Sequence, residues 1–176
     1  MGVHRRDEAM NLLGAIYSSP TELLGKAQRD GAALVSALST QEESDVRAAL
    51  FNFAVTTYHV WDWIKAFRPD LDAPTTNALD LYESLRACRD LANASKHITL
   101  DLTRGPYQKH PPTVREVVVS AIPGHLTDSS AGSGTLSAAN PWRLKIQLPS
   151  RRVAAEELVT EVLEAWKQYF AQNSIK

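Results

Sequence analysis

Apolar and polar positions change period twice along this chain of 176 residues. Up to His97 the apolar side chains return every three or four residues, the spacing that lines one face of an α-helix. Between residues 98 and 152 β-branched residues become frequent and, in WRLKIQL, apolar positions alternate singly, as in a half-buried β-strand. From about residue 153 the helical period resumes. The pattern predicts a mainly α protein: a bundle of about five helices with a small antiparallel β-sheet inserted before the C-terminal helix, all in one domain.

The first helix is expected over about residues 5 to 18, with Ala9, Leu12, Leu13, Ile16 and Tyr17 on its apolar face. The second follows Ser19 and Pro20 and runs to about Leu38, on Leu23, Leu24, Ala27, Leu34 and Leu38, weakened by Gly25 and Gly31. STQE at 39–42 reads as a capping box that starts the third helix, which runs to about Phe67. Its second half, LFNFAVTTYHVWDWIKAF, is apolar on nearly every side, as a central helix requires. A break is expected from Asp70 to Pro74. The fourth helix then runs from about Thr75 to His97 with Leu81, Leu85, Cys88 and Ala92 as its apolar stripe. ITLDLT, TVREVVVSA and WRLKIQL read as strands, the last setting Trp142, Leu144, Ile146 and Leu148 against Arg143, Lys145 and Gln147. Residues 122–141, rich in small and polar residues, read as a mobile loop. The final helix, about 153 to 171, places Leu158, Val162, Trp166 and Tyr169 on one face to return over the bundle.

Charge changes this picture locally. The net charge is −1, so nothing global points to a polyanion, but residues 98–152 hold seven basic against three acidic side chains. Cys88 is the single cysteine, which excludes an intrachain disulfide and a cysteine-based zinc cage. Asp7 and Glu8 fall where a secretory leader needs its apolar run, and no stretch approaches the ~18 apolar residues of a membrane span. A cytoplasmic protein with no membrane contact and no cofactor is expected.

Candidate chemistry lies on the fourth helix. At ~100° per residue, Tyr82, Arg86, Arg89, Asn93 and His97 gather roughly 120° from the apolar stripe, with Asp90 just beyond and Lys96 beside His97. Such a face is ordinarily a solvated exterior. Against that reading, the third helix carries its own sparse polar set, Asn52, Thr56, His59 and Trp63, with Asp62 near His59. Antiparallel packing of the two helices would pair Asp62 with Arg89 or Arg86 and bring His59 toward His97. The result is either a structural hydrogen-bond network or a site. A metal site from His59, Asp62 and His97 is a weaker alternative, and HExxH, Walker and dinucleotide motifs are absent.

RDLANASKH at the end of a bundle helix resembles the signature of HEPN-type domains, helical bundles that include metal-independent endoribonucleases of toxin and antiviral systems. Their motif is an Arg, usually a polar residue, then a His after four to six residues, and two protomers commonly join their motifs. Arg89, Asp90 and His97 correspond to it, with seven residues between Arg89 and His97. The resemblance implies RNA cleavage by the neighbouring 2′-hydroxyl, with His97 moving the proton, Arg89 steadying the phosphate and Asn93 orienting substrate or His97. Arg86, Lys96 and Tyr82 would then contact substrate.

Outside the resemblance, Arg143, Lys145, Arg115, Arg151 and Arg152 are candidate phosphate contacts, with Tyr107 and Trp142 as stacking platforms for single-stranded RNA. The bland alternative is the wet face of a small sheet. Two functions remain open: a HEPN-like ribonuclease, expected to be a homodimer, or a non-enzymatic helical module that binds a protein or nucleic acid partner.

Overall fold

The computed structural model describes residues 16–40, 42–94, 112–122 and 142–176. It comprises helices α1 (Pro20–Thr40), α2 (Glu43–Phe67), α3 (Asp72–Leu81), α4 (Glu83–Ala94) and α5 (Ala155–Gln172), and strands β1 (Glu116–Ala121), β2 (Trp142–Gln147) and β3 (Arg152–Ala154). The architecture is the expected one, a helical bundle with a three-stranded antiparallel sheet ahead of the last helix. Most of the helix expected over residues 5–18, the ITLDLT strand and all but Ile122 of the loop expected over 122–141 fall outside the described residues. The end of that first helix is not helical: Ile16 is in a turn, and Tyr17 and Ser18 are irregular.

α1 begins where proline and a side-chain cap coincide. Pro20 occupies its first position, where the missing N–H costs nothing. Ser19 Oγ accepts the Glu22 N–H at 3.2 Å, and the Glu22 carboxylate accepts the Ser18 N–H at 2.6 Å. This reciprocal cap at 19–22 does the work expected of STQE at 39–42. There the helical phase of Leu34, Ala37 and Leu38 carries α1 on to Thr40, so Ser39 lies in its last turn. Glu42 becomes the N-cap of α2 without a side-chain cap bond.

α1 and α2 form an antiparallel hairpin. Gly31 is required where the two meet α5, because a Cβ there would stand 2.8 Å from Val159 Cγ1 and 3.2 Å from Phe53 Cε2. After α2, Pro69–Leu71 form one 3-10 turn and α3 begins at Asp72, so Pro74 sits inside its first turn, where proline is tolerated. The expected single fourth helix is divided. Tyr82 has extended backbone (φ −103°, ψ 112°), which breaks the phase between α3 and α4. Leu81 consequently leaves the apolar stripe and is 79% exposed, while Leu85, Cys88 and Ala92 stay buried.

The sheet runs β1-β2-β3 with both pairs antiparallel. Cross-strand partners share a face, so Val117 with Ile146, Val119 with Leu144, and Val153 with Ile146 form the inner face. Leu144, Ile146 and Val153 join Leu34, Phe53, Val162 and Trp166 in one core. The segment expected to open the last helix at 153 first makes β3, since Val153 has a core position to fill opposite Ile146.

Candidate functional site

α4 is buried around most of its circumference: Ser84, Leu85, Ala87, Cys88, Arg89, Asp90 and Ala92 are all inside. Leu85, Cys88 and Ala92 supply the expected stripe. The side that carries Arg86, Arg89 and Asp90, read either as a solvated exterior or as a polar face packed on the third helix, is covered by the chain leading into β1. Asp90, 2% exposed, accepts the backbone N–H groups of Thr113 and of Val114, the latter at 3.3 Å. Its other oxygen takes two bonds from the neighbouring Arg89, from Nε at 3.0 Å and Nη2 at 2.9 Å. Arg89 is 6% exposed. Arg86, half-buried, donates from Nε to Thr113 Oγ1 at 3.3 Å. These contacts form a clasp that ties residues 113–114 to α4. A buried pair of this kind holds geometry strongly because each group would be costly to leave alone.

The other expected contacts are placed elsewhere. Asp62 does not reach Arg86 or Arg89; it pairs with His59 one turn away on α2, Nδ1 to Oδ2 at 3.1 Å, at the surface. The polar position Thr56 finds its partners on α1, not α4. Lys26 Nζ donates to it at 2.8 Å, and Thr56 Oγ1 donates to Asp30 at 2.5 Å. Asn52 is exposed beside the α1–α2 groove. Trp63 packs with Tyr17 edge-on and stacks on Phe67. α2 is thus less enclosed than α4, with Phe51 and Phe67 largely exposed. Tyr82 lines a cleft of about 320 Å³ together with Glu83, Glu161 and Ala165. Asn93 is half-buried in the last turn of α4. Lys96, His97 and Tyr107 lie outside the described residues, so neither the Arg89–His97 pair nor a His59–His97 approach is described.

Cys88 faces α2 on the buried side of α4, where burial pushes its thiol up to about 12 despite a hydrogen bond with Thr57. It is packing, as its position on the stripe implies. Among the described residues no group of three or more His, Cys, Asp or Glu side chains is arranged to hold a metal ion. No described helix is long and apolar enough to cross a membrane.

The basic strand region divides by burial and pairing. Arg151, a candidate phosphate contact, is taken by carboxylates: Nη2 to Glu161 at 2.6 Å, Nη1 to Glu157 at 3.1 Å, with Glu83 at 3.8 Å from Nε. The Glu161 hydrogen bond leads the causes that raise its pKa. Arg143 and Lys145 differ. The register sets them on the outer face of the sheet, opposite Ser120 and Val118, and both are exposed. Arg152 shares this face opposite Gln147, whose side-chain oxygen accepts its Nε at 3.1 Å. Lys26, Arg47, Lys65, Arg68, Arg89 and Arg151 each have a carboxylate at ion-pair distance. Among the described residues, no ion pair engages Arg143 or Lys145.

Sequence reasoning missed Asp90 as the organiser of the clasp. The small residues of α4 carried no signal for it: Ser84, Cys88 and Ala92 share one face, away from Asp90, and Ala87 lies beside them. Comparison with protein-family models, with curated proteins and with solved structures finds no match for this chain.

Proposed function

We propose that this chain is a non-enzymatic module that binds single-stranded RNA on the outer face of its sheet, with the Arg89–Asp90 pair acting as an internal brace. One observation carries the reading: Arg143 and Lys145 stand two residues apart on an exposed strand face with no carboxylate paired to them among the described residues. Phosphates bind cations whose charge is not already neutralised, and a rigid strand fixes their spacing at about 7 Å. Arg152 on the neighbouring strand widens the same face. Arg89 lacks this availability, since its guanidinium is buried and bonded to Asp90.

Fluorescence anisotropy with a labelled single-stranded RNA in chelator, followed by a denaturing gel of the same samples, tests the reading. Binding that weakens with salt and leaves the RNA intact is expected. Loss of affinity in Arg143→Ala/Lys145→Ala, with unchanged thermal stability, supports the sheet face as the contact. Unchanged affinity in that variant overturns it. RNA cut by the parent protein and spared by Arg89→Ala and His97→Ala replaces the binding module with the ribonuclease implied by the HEPN resemblance.

A further inference from the structure

The break between α3 and α4 leaves a cleft of about 320 Å³ against α5. Extended backbone at Tyr82 ends the phase of α3, so Leu81 stands 79% exposed at the edge of the cleft. α4 restarts at Glu83, and the bond from the Arg86 N–H to the Tyr82 carbonyl opens its ladder. The N–H groups of Glu83 and Ser84 precede that bond and have no carbonyl within the helix. The facing wall is a stripe of α5, Glu161, Glu164, Ala165 and Gln168, at the i, i+3, i+4, i+7 spacing of a single helix face. Its length is about 10 Å, the span of about three extended residues.

Two observations mark this cleft as a binding site. Ser84 lines it and is 4% exposed, yet its hydroxyl makes no hydrogen bond among the described residues. A hydroxyl so enclosed ordinarily has a partner, and the cleft is the opening from which one can come. The charge is also unbalanced. Arg151, the one cation of the lining, stands against Glu83, Glu157 and Glu161. Glu83 and Glu161 meet it through Oε2, and Oε1 of each has no partner among the described residues. Glu164 is exposed and makes no ion pair among them. The surplus is negative, so the site suits a second cation.

We infer that this cleft docks a basic segment of a partner protein, with an arginine side chain entering between Glu161 and Glu164 and an apolar neighbour resting on Leu81. The surface shares no residue with Arg143, Lys145 and Arg152, and it stands independently of the RNA reading. A guanidinium presents five donors in one plane, enough to meet Glu161 Oε1 and the Glu164 carboxylate together. Carbonyls of the bound segment find donors in the Ser84 hydroxyl and in the N–H groups at the start of α4. A metal ion or a small amine would satisfy the carboxylates and leave Leu81 and those donors unused. A nucleic acid phosphate would be repelled by the same carboxylates.

The experiment is isothermal titration calorimetry of the full chain with a hexapeptide of alternating arginine and leucine, set against the same peptide carrying citrulline, the uncharged isostere, at every arginine. The arginine peptide is expected to bind at least tenfold tighter than the citrulline one. Glu164→Gln should weaken it about threefold and Leu81→Ser about fivefold. Both side chains are exposed, so the melting temperature should stay unchanged in either variant. Equal affinity for the two peptides, no measurable heat with either, or full affinity in the Glu164→Gln/Leu81→Ser double variant overturns the proposal. Argininamide that binds as tightly as the hexapeptide also overturns it, by making the cleft a site for a small cation.

Discussion

Arg89 and Arg143 are the same side chain in opposite circumstances. Arg89 lies on a helix enclosed on nearly all sides, where its donors meet Asp90 and its charge is matched within the fold. Arg143 lies on an exposed strand face, opposite Ser120, with no ion-paired carboxylate among the described residues. A cation already matched by a buried carboxylate fixes structure, whereas an exposed one without a partner is available to an anion from outside. Burial and pairing separate the two arginines; residue type and helical spacing do not.

The contrast can be challenged first through Cys88, one residue before Arg89. With its thiol pushed up to about 12, the thiolate fraction at neutral pH is about a thousandfold below that of an ordinary cysteine. Alkylation by iodoacetamide should therefore be slower than in urea-unfolded protein by at least that factor. Comparable rates would mean that α4 is not enclosed.

Asp90→Ala should follow in size. It removes the carboxylate bonded to the buried Arg89 guanidinium and the acceptor of the Thr113 and Val114 N–H groups. A loss of about 3–5 kcal/mol in urea unfolding is expected. A loss below about 1 kcal/mol would place the clasp in water. On the other side of the comparison, Arg143→Ala and Lys145→Ala should each change stability by no more than about 0.5 kcal/mol in the same assay. A larger cost would show that the sheet face supports the fold.

The smallest effect concerns the start of α1. The Ser18 backbone N–H holds the Glu22 carboxyl below its usual range. A carboxylate depressed in the folded state stabilises it above the unfolded pKa, and the stabilisation disappears as pH falls through the folded value. Glu22→Gln should therefore lower the melting temperature slightly at pH 7, with the difference from the parent vanishing in acid once the Glu22 carboxyl is protonated in the folded state. A difference independent of pH would assign the effect to side-chain shape instead.

Local periodicity made much of the fold legible. α2 and α5 follow their apolar spacing to within a few residues, and the alternation of WRLKIQL matches its burial along β2. β3 was not legible, because three residues joined directly to α5 do not establish a period of their own. The division of the fourth helix at Tyr82 was hidden for a related reason: no Gly or Pro marks it, and the surrounding residues are compatible with helix.

The site was legible only as a set of side chains. Helical geometry placed Arg86 and Arg89 on one side of α4, but the partner that covers them comes from Thr113 and Val114, more than twenty positions later. Such contacts are long-range, and those that hold Asp90 are made by backbone N–H groups, which leave no trace in residue type. Asp62 and Thr56 teach the same lesson from α2, since one is satisfied within its own helix and the other by α1.

The salt dependence of single-stranded RNA affinity measures the central claim most directly, with the parent protein and Arg143→Glu/Lys145→Glu side by side. Each phosphate contact contributes about 0.7 to the slope of log affinity against log salt. The account predicts that the variant binds at least tenfold more weakly at low salt, with a slope smaller by about 1.4 and an unchanged melting temperature. Parallel lines of equal affinity for the two proteins would contradict it.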